Sequence, residues 1–214
     1  MRRGPQPVEK LPPPPAPSRE RILHTAKTLF ASRGYENTST AAIARGAGTS
    51  ESQLIKHFSS KEGLLEAILD DGWARLARGA ASLAGMGDPL QKLHALLQMV
   101  LSGFERDYEL KELMLLEGRR VRKEGNMIML TQGFLSFVRV IDGVLEELRD
   151  SGRLRADVPP EAIRAALMGL LEGLMRDQLL AERMKFPARY NAKQLRRVFE
   201  MALASFLAPP VTQP

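Results

Sequence analysis

Cysteine is missing from the sequence, which excludes disulfide bonds and zinc sites built from thiolates. There is also no uninterrupted apolar run long enough to cross a bilayer. The N-terminal stretch is basic and then rich in proline, without the apolar segment of a secretory signal, so we expect no signal peptide. These absences favour a cytoplasmic protein that has no contact with a membrane.

Sequence motifs of enzymes are lacking as well. No serine-nucleophile motif and no glycine-rich phosphate loop occurs. The three histidines, His24, His57 and His94, are scattered and do not form the HExxH pattern or another metal-ligand pair. We therefore predict no catalytic residue, no bound metal and no cofactor.

Positive charge is concentrated in the first third of the chain. Residues 1–64 contain ten Lys and Arg against five Asp and Glu, whereas residues 65–214 contain twenty-one against twenty. A module that binds a polyanion would produce this distribution, and so would chance combined with a need for solubility.

The first 17 residues have the composition of a disordered tail. Seven of the fourteen prolines of the chain lie there, and a run such as 12–15 favours extended polyproline II conformation. Arg2 and Arg3 could enter a DNA minor groove. An inert flexible tail is the favoured interpretation.

From Ser18 onward the pattern predicts one helix after another, with Ser18 as the first N-cap. We expect short helices at about 40–47 and 51–57, capped by Thr38 or Ser39 and by Ser50. A longer helix capped by Ser59 or Ser60 follows. Further helices are predicted at about 89–105, 109–122, 126–150, 161–184 and 191–207. No alternating β-branched stretch occurs, so the fold class is all-α.

Two short helices joined by a glycine-containing turn, residues 40–54, form a helix-turn-helix pattern. Ala44 is small where the two helices must approach each other, and Gly48 can adopt the positive φ that the turn requires. Ser50 caps the second helix, whose N-terminal residues would face the major groove of DNA. Apolar side chains that would hold the pair in place are Ile43, Leu54 and Phe58.

A longer stretch, about 18–65, resembles the DNA-binding domain of the TetR family. The residues that carry the resemblance are Gly34, Tyr35, Glu36, Asn37, Thr38, Ser39, Ile43, Ala44, Ala47, Gly48, Leu54, Ile55, Lys56, His57, Phe58, Ser60, Lys61, Glu62, Leu64 and Leu65. It implies an N-terminal three-helix bundle with the helix-turn-helix, followed by a C-terminal helical domain for ligand binding and dimerisation. We expect the domains to span residues 18–64 and 65–214.

The resemblance also implies which residues meet DNA. Contacts to base edges are expected from Glu51, Ser52 and Gln53, and Gln53 could bind adenine with both atoms of its amide. Contacts to phosphates are expected from Thr38, Ser39, Thr40, Lys56, His57 and Lys61. Alternatively, Glu51 serves only the helix dipole and Lys56 is a solvated surface residue. Ile55 departs from the family, which usually has a tyrosine there that contacts phosphate.

The later helices would form the dimer. By the resemblance, the last two helices pair with those of a partner, and the apolar pattern of the helix from Glu161 indicates burial from two directions. Gly169 and Gly173, four residues apart, would permit a close helix crossing. A self-contained monomer is the alternative. The expected interface residues are Met168, Leu171, Met175, Val198, Phe199, Ala202 and Phe206.

An apolar cavity is expected among the middle helices. Its candidate lining is Trp73, Phe104, Met114, Met129, Phe134 and Phe137, although ordinary core packing is the simpler interpretation for each residue. Arg119, Arg120 and Arg176 could face an anionic group, but solvated positions are favoured.

Together these features predict a dimeric repressor that binds a palindromic operator on double-stranded DNA and responds to a small-molecule effector. The first alternative is a DNA-binding protein whose C-terminal domain binds a protein and not a small molecule. A second is a helical ligand carrier that has lost DNA binding, which the intact turn disfavours.

Overall fold

α-Helices make up the regular structure in the two ranges that the computed structural model describes, residues 17–118 and 130–208. A 3₁₀ turn, Ser82–Gly85, follows the fourth helix. Apart from one isolated β-bridge, these ranges contain no strand, and the predicted all-α class is confirmed. The helices are α1 Ser18–Arg33, α2 Thr40–Gly46, α3 Glu51–Phe58, α4 Lys61–Ala81, α5 Pro89–Arg106, α6 Tyr108–Leu116, α7 Gln132–Asp150, α8 Pro160–Arg183 and α9 Ala192–Phe206.

The first three helices bury the apolar side chains that the helical periodicity assigned to their inner faces. Phe30 of α1, Ile43 of α2 and Leu54 of α3 are among the most completely buried side chains of the chain. Leu64 and Leu65, at the start of α4, are fully buried and complete the hydrophobic core of this bundle. Burial of these residues supplies the hydrophobic free energy that holds three short helices together.

Hydroxyl caps define where the short helices begin. Ser39, Ser50 and Ser60 each accept a hydrogen bond from the backbone amide three residues ahead, at 3.0–3.2 Å. The cap predicted at Ser18 is wrong, because α1 already includes Ser18 and no side chain caps that helix. The Ser18 hydroxyl instead lies 3.0 Å from Nε2 of His57, at the end of α3.

The long helix α4 crosses the domain boundary that the sequence suggested. That boundary, between residues 64 and 65, falls inside α4, which runs unbroken from Lys61 to Ala81. The first turn of α4 therefore packs on the N-terminal bundle, while its later turns pack on α7. The two parts of the chain share one rigid element.

Other helix boundaries differ from the predicted ones by a few residues or lie outside the described residues. Helix α6 ends at Leu116, short of the expected end at about 122, and α7 is described from Gln132 onward. The first four residues expected in that helix, the tail up to residue 16, and the candidates Arg119, Arg120 and Met129 lie outside the described residues.

Helices α4 and α7 approach each other most closely at Gly133. Its amide donates a hydrogen bond of 2.6 Å to Oδ1 of Asp70 on α4. A Cβ atom at this position would lie 2.4 Å from the Asp70 carbonyl oxygen and 2.7 Å from the Ala74 amide nitrogen. Only glycine therefore allows this crossing, which places α7 beside α4.

We expect Gly133→Ala to lower the free energy of unfolding by about 1–3 kcal/mol, because two backbones must separate to admit the methyl group. Gly143→Ala, on the same helix, is the matched control: its added Cβ would meet nothing within 4 Å. Removing the flexibility of that glycine should stabilise the protein by up to about 1 kcal/mol. Urea denaturation of both variants measures this, and equal effects would contradict the close crossing.

Candidate functional site

The turn between α2 and α3 has the geometry of a helix-turn-helix. Gly48 has a φ of 61°, in the left-handed region that glycine tolerates. The amide of Thr49 then donates a hydrogen bond of 3.0 Å back to the carbonyl of Ala44. Ala44 itself is buried between the helices, as its small size predicted.

A side chain of α1 also secures this turn, and no pattern in the sequence indicates this contact. Nε of Arg21 donates a hydrogen bond of 3.0 Å to the carbonyl of Ala47, and Nη2 lies 3.5 Å from that of Gly48. An arginine on the outer side of α1 carries no periodic signal that distinguishes it from a solvated residue. Arg21 ties α1 to the turn that orients α3.

Helix α3 exposes a polar face and buries an apolar one. Leu54 and Phe58 pack into the bundle, while Glu51, Ser52 and Gln53 are exposed at the capped N-terminus. Exposed polar side chains at the first turn of such a helix are suited to reading base edges in a major groove. The structure therefore brings the three predicted base-contacting residues together on one accessible surface, here called the recognition surface.

Each side chain of the recognition surface forms a hydrogen bond with a neighbouring side chain of the protein when no DNA is bound. Thr40 donates a hydrogen bond to Glu51, the hydroxyls of Ser50 and Ser52 are 2.9 Å apart, and Thr49 donates to Oε1 of Gln53 at 2.8 Å. These bonds are exposed and contribute little net stability. They hold the polar groups in place at the N-terminus of α3.

The prediction that Thr38 contacts phosphate is wrong for its side chain. Thr38 is 1% exposed, and its hydroxyl lies 3.2 Å from the carbonyl oxygen of Leu29 and 2.9 Å from that of Gly34. Its amide also donates to the carbonyl of Tyr35. Thr38 ties the loop after α1 back to that helix.

The remaining phosphate candidates lie at the surface around α3. Ser39 caps α2, Thr40 opens it, and Lys56 is exposed on α3. His57 is exposed and shares a hydrogen bond with Ser18. Nζ of Lys61 lies 4.3 Å above the ring of Tyr35 and 3.5 Å from the carbonyl oxygen of Glu36, so its ammonium makes a cation–π contact at the surface.

Ile55 stands on the exposed side of α3 with 42% of its surface accessible. It has no polar atom to offer a phosphate, so this chain lacks the contact that the aromatic residue common in the family would make. Lys56, the next residue, has an exposed cationic side chain that is accessible to a phosphate of the DNA backbone.

An apolar cavity of about 510 Å³ lies between α4, α5, α6, α7 and α8. Trp73, Phe104, Met114, Phe134 and Phe137 all line it. Five of the six residues predicted for the cavity thus share one space, and the sixth, Met129, lies outside the described residues. Cavities of this size that are mostly apolar commonly accommodate small organic molecules.

Aromatic rings form one wall of this cavity. The ring of Trp73 on α4 lies 5.1 Å from that of Phe134, in an edge-on arrangement, and 5.3 Å from that of Phe137. Trp73 is the single tryptophan of the sequence. Its fluorescence therefore reports on this wall of the cavity alone.

Two residues predicted for a dimer interface are wrong in that role. Met175 and Phe199 are buried within the chain, with 4% and 7% exposed, and both line the cavity. Met168 and Leu171 also line it. The apolar periodicity of α8 was correct, but it could not distinguish a side that faces an internal cavity from one that faces a partner.

The outer side of α8 and α9 remains accessible. Val198 and Met201 on α9 are 42% and 59% exposed, while Ala202 and Phe206 are half-buried. On α8, the space around Gly169 and Gly173 is open, so a second helix could approach its backbone there. We call these α8 and α9 positions the outer face.

Asp107, at the corner between α5 and α6, joins the N-terminal bundle to the cavity helices. Its carboxylate receives Nζ of Lys27 on α1 at 2.7 Å and Nη2 of Arg75 on α4 at 3.3 Å. It also caps α6 by accepting from the Leu110 amide. Burial raises the pKa of Asp107, but these donors outweigh burial, so its pKa lies below the ordinary value.

Further bonds connect α6 to α1 alongside Asp107. The Thr28 hydroxyl donates to Glu109 at 3.2 Å, and Arg183 at the end of α8 pairs with Glu112. Arg183 also lies 3.4 Å from the carbonyl oxygen of Ala31. Because Met114 and Leu115 of α6 line the cavity, one helix touches both the cavity and α1.

No cluster of three or more metal-ligating side chains occurs in residues 17–118 and 130–208. Among the helices of these ranges, none has the length and apolar character needed to span a membrane.

Two protein-family profiles together match most of the chain. Residues 22–68 match the profile described as bacterial regulatory proteins of the tetR family. Residues 76–202 match the profile described as the C-terminal region of YsiA-like proteins, which accounts for the cavity helices.

Individual relatives also align with most of this chain and with most of their own length. The transcriptional regulator UidR of Escherichia coli is 25% identical over 75% of this chain and 81% of its own. The transcriptional repressor AcnR of Corynebacterium glutamicum is 26% identical, with the same coverages. The structure of FadR from Thermus thermophilus, a repressor in complex with lauroyl-CoA, is 25% identical with a TM-score of 0.65, covering 92% of this chain and 98% of that one.

We expect Thr38→Val and Lys56→Ala to act on different properties. Thr38→Val should lower the free energy of unfolding by about 1–2 kcal/mol, because a buried hydroxyl is lost, and leave the salt dependence of DNA binding unchanged. Lys56→Ala should leave stability unchanged and reduce the slope of log affinity against log salt by about 0.9 for each protomer that contacts the DNA. Urea denaturation and salt-dependent anisotropy titrations measure both. A reduced slope in Thr38→Val would restore it as a phosphate contact.

Proposed function

Since the chain belongs to the TetR family of DNA-binding transcriptional regulators, we propose that it is a dimeric repressor controlled by a small-molecule effector. The family is one of regulators and not of enzymes. In this proposal the dimer binds a palindromic operator. A small apolar or amphipathic molecule in the cavity lowers the affinity of the dimer for that operator.

The observation that carries the proposal is one continuous connection between an exposed recognition surface and an apolar cavity. Helix α4 begins beside α3 and presents Trp73 to the cavity, while α6 lines the cavity and binds α1 through Asp107. A chain that only bound DNA would have no need of a cavity of about 510 Å³ at the other end of these helices. The cavity favours a small-molecule effector over a protein partner.

The chemistry of the cavity supports an effector with a substantial apolar body. Its charged lining residues already have partners: Arg164 pairs with Asp142 at 2.6 Å, and Glu172 with Arg176 at 3.1 Å. The similarity to a repressor solved with lauroyl-CoA is consistent with an effector that carries a long apolar chain. Methionines in the lining can adapt to different shapes.

The outer face of α8 and α9 supports the dimer. Two copies joined there would bury Val198 and Met201 and bring backbones together at Gly169 and Gly173. Two recognition helices are needed because half-sites in successive major grooves are about 34–36 Å apart. An effector that changes the orientation of α1 and α4 would alter that separation, and such control requires that the effector bind one of the two states more tightly than the other.

Selection from a pool of random duplexes, followed by sequencing, tests the role of Gln53. The wild-type protein should enrich a palindrome, and Gln53→Ala should relax the preference at one base position in each half-site, at a cost of about 1–3 kcal/mol. Lys56→Ala, the control on the same helix, should weaken all sequences alike. If Gln53→Ala affected specific and random duplexes equally, its base-reading role would be wrong.

Asp107→Asn tests the connection between cavity and DNA. An asparagine still caps α6, but it loses the charge that holds Lys27 and Arg75. With n-decanol as the probe, we expect the factor by which ligand weakens operator binding to fall below about twofold, from the 5- to 150-fold range of ordinary coupling.

Asp157→Asn is the matched control for Asp107→Asn, because that carboxylate pairs with Arg155 in the exposed loop before α8, away from α1. The control should retain the full response to the probe in anisotropy titrations. Unchanged coupling in Asp107→Asn would show that the signal passes by another route.

A further inference from the structure

A second cavity lies directly beside the apolar one and shares part of its wall. It also measures about 510 Å³. Its walls are the C-terminal turns of α5 and α8, helix α6, and the first turn of α9. Phe104 and Met175 line both cavities. We call the first the inner cavity and the second the outer cavity.

Two side chains, those of Phe104 and Met175, separate the two cavities. Phe104 is 6% exposed and Met175 is 4% exposed, so the two side chains fill the space between the cavities. Methionine has three rotatable side-chain bonds and repacks readily around a ligand. A different rotamer of Met175 would connect the inner and outer cavities into one elongated site.

The outer cavity is polar and rich in acceptors, unlike the inner one. Its lining contains the carboxylates of Glu105 and Glu182 and the ammonium of Lys111. Glu182 accepts a hydrogen bond of 3.1 Å from the Tyr108 hydroxyl, and Nζ of Lys111 lies 5.1 Å from the ring of that tyrosine. Two negative charges thus face one positive charge in this space.

Hydrogen bonds along the opposite wall add to the excess of acceptors. The amide nitrogen of Gln178 donates to the carbonyl of Tyr190 at 3.0 Å, and the Tyr190 hydroxyl donates to the carbonyl of Leu174 at 2.6 Å. The Tyr190 hydroxyl and one of the two amide hydrogens of Gln178 are therefore engaged within the protein, while Oε1 of Gln178 can accept. These bonds also strap the segment before α9 to α8 and keep the wall in place.

We propose that the outer cavity binds the polar end of an amphipathic effector whose apolar body occupies the inner cavity, and that this end is a primary ammonium. The proposal rests on the proposed function, since it assumes that the inner cavity holds the effector. An ammonium carries three donors and one positive charge, which complement acceptors and a net negative charge. A carboxylate in the same place would face Glu105 and Glu182, with Lys111 as its single cation among the described lining residues.

Three probes with the same ten-carbon chain test this proposal at neutral pH: n-decylamine, n-decanol and n-decanoic acid. Trp73 fluorescence reports entry into the inner cavity, and calorimetry gives each affinity. We expect all three to change the fluorescence. The amine should bind about fivefold more tightly than the alcohol, a ratio that one exposed ion pair can supply, and the acid should bind most weakly.

The double variant Glu105→Gln with Glu182→Gln identifies the source of the preference. It keeps the size of both side chains and should reduce the advantage of the amine over the alcohol to less than about twofold. The matched control is Glu161→Gln with Glu200→Gln, which makes the same change in net charge at exposed positions outside both cavities. The control should keep the wild-type ratio.

The outcomes separate this proposal from the proposed function. If the acid binds as tightly as the amine, or if the advantage of the amine survives the first double variant, the outer subsite is wrong while the inner cavity stands. If none of the three probes changes Trp73 fluorescence or releases heat, the inner cavity is not a ligand site and both proposals fail. Loss of the advantage in the first double variant alone supports the subsite.

Discussion

The arrangement of this protein depends on α4, a single helix that belongs to both of its parts. At about 1.5 Å per residue its 21 residues span roughly 30 Å. It starts beside α3, packs along α7 with a close backbone approach at Gly133, and carries Trp73 to the cavity wall. Because α4 is unbroken, the shift that the proposed effector would cause at the cavity end would also move the end beside α3. The ion pairs of Asp107 connect α1 to the same system.

Much of this organisation was predictable from sequence, and the reasons are local. Ser39 and Ser50 followed by short apolar patterns located two helices, and Gly48 located the turn, because caps and positive φ depend on one or two residues. The cavity candidates were recognisable as apolar residues on inward faces. That five of them border one cavity is a tertiary fact that periodicity does not contain.

The failures have a common physical cause. Thr38 and a solvated surface threonine look alike in sequence, and only packing shows that its hydroxyl is used inside. Met175 and Phe199 were assigned to a partner because an apolar helix side says nothing about what covers it. Arg21 and Asp107 act across long sequence separations, and no single-sequence pattern marks such pairs.

The central claim is that cavity occupancy and operator binding are thermodynamically coupled, and coupling must be reciprocal. The most direct measurement is the affinity of n-decanol for the free protein and for the protein saturated with its selected operator duplex, by calorimetry. The account predicts weaker binding to the operator complex, by the same factor by which n-decanol weakens operator binding. Equal affinity for the free and DNA-bound protein would contradict it.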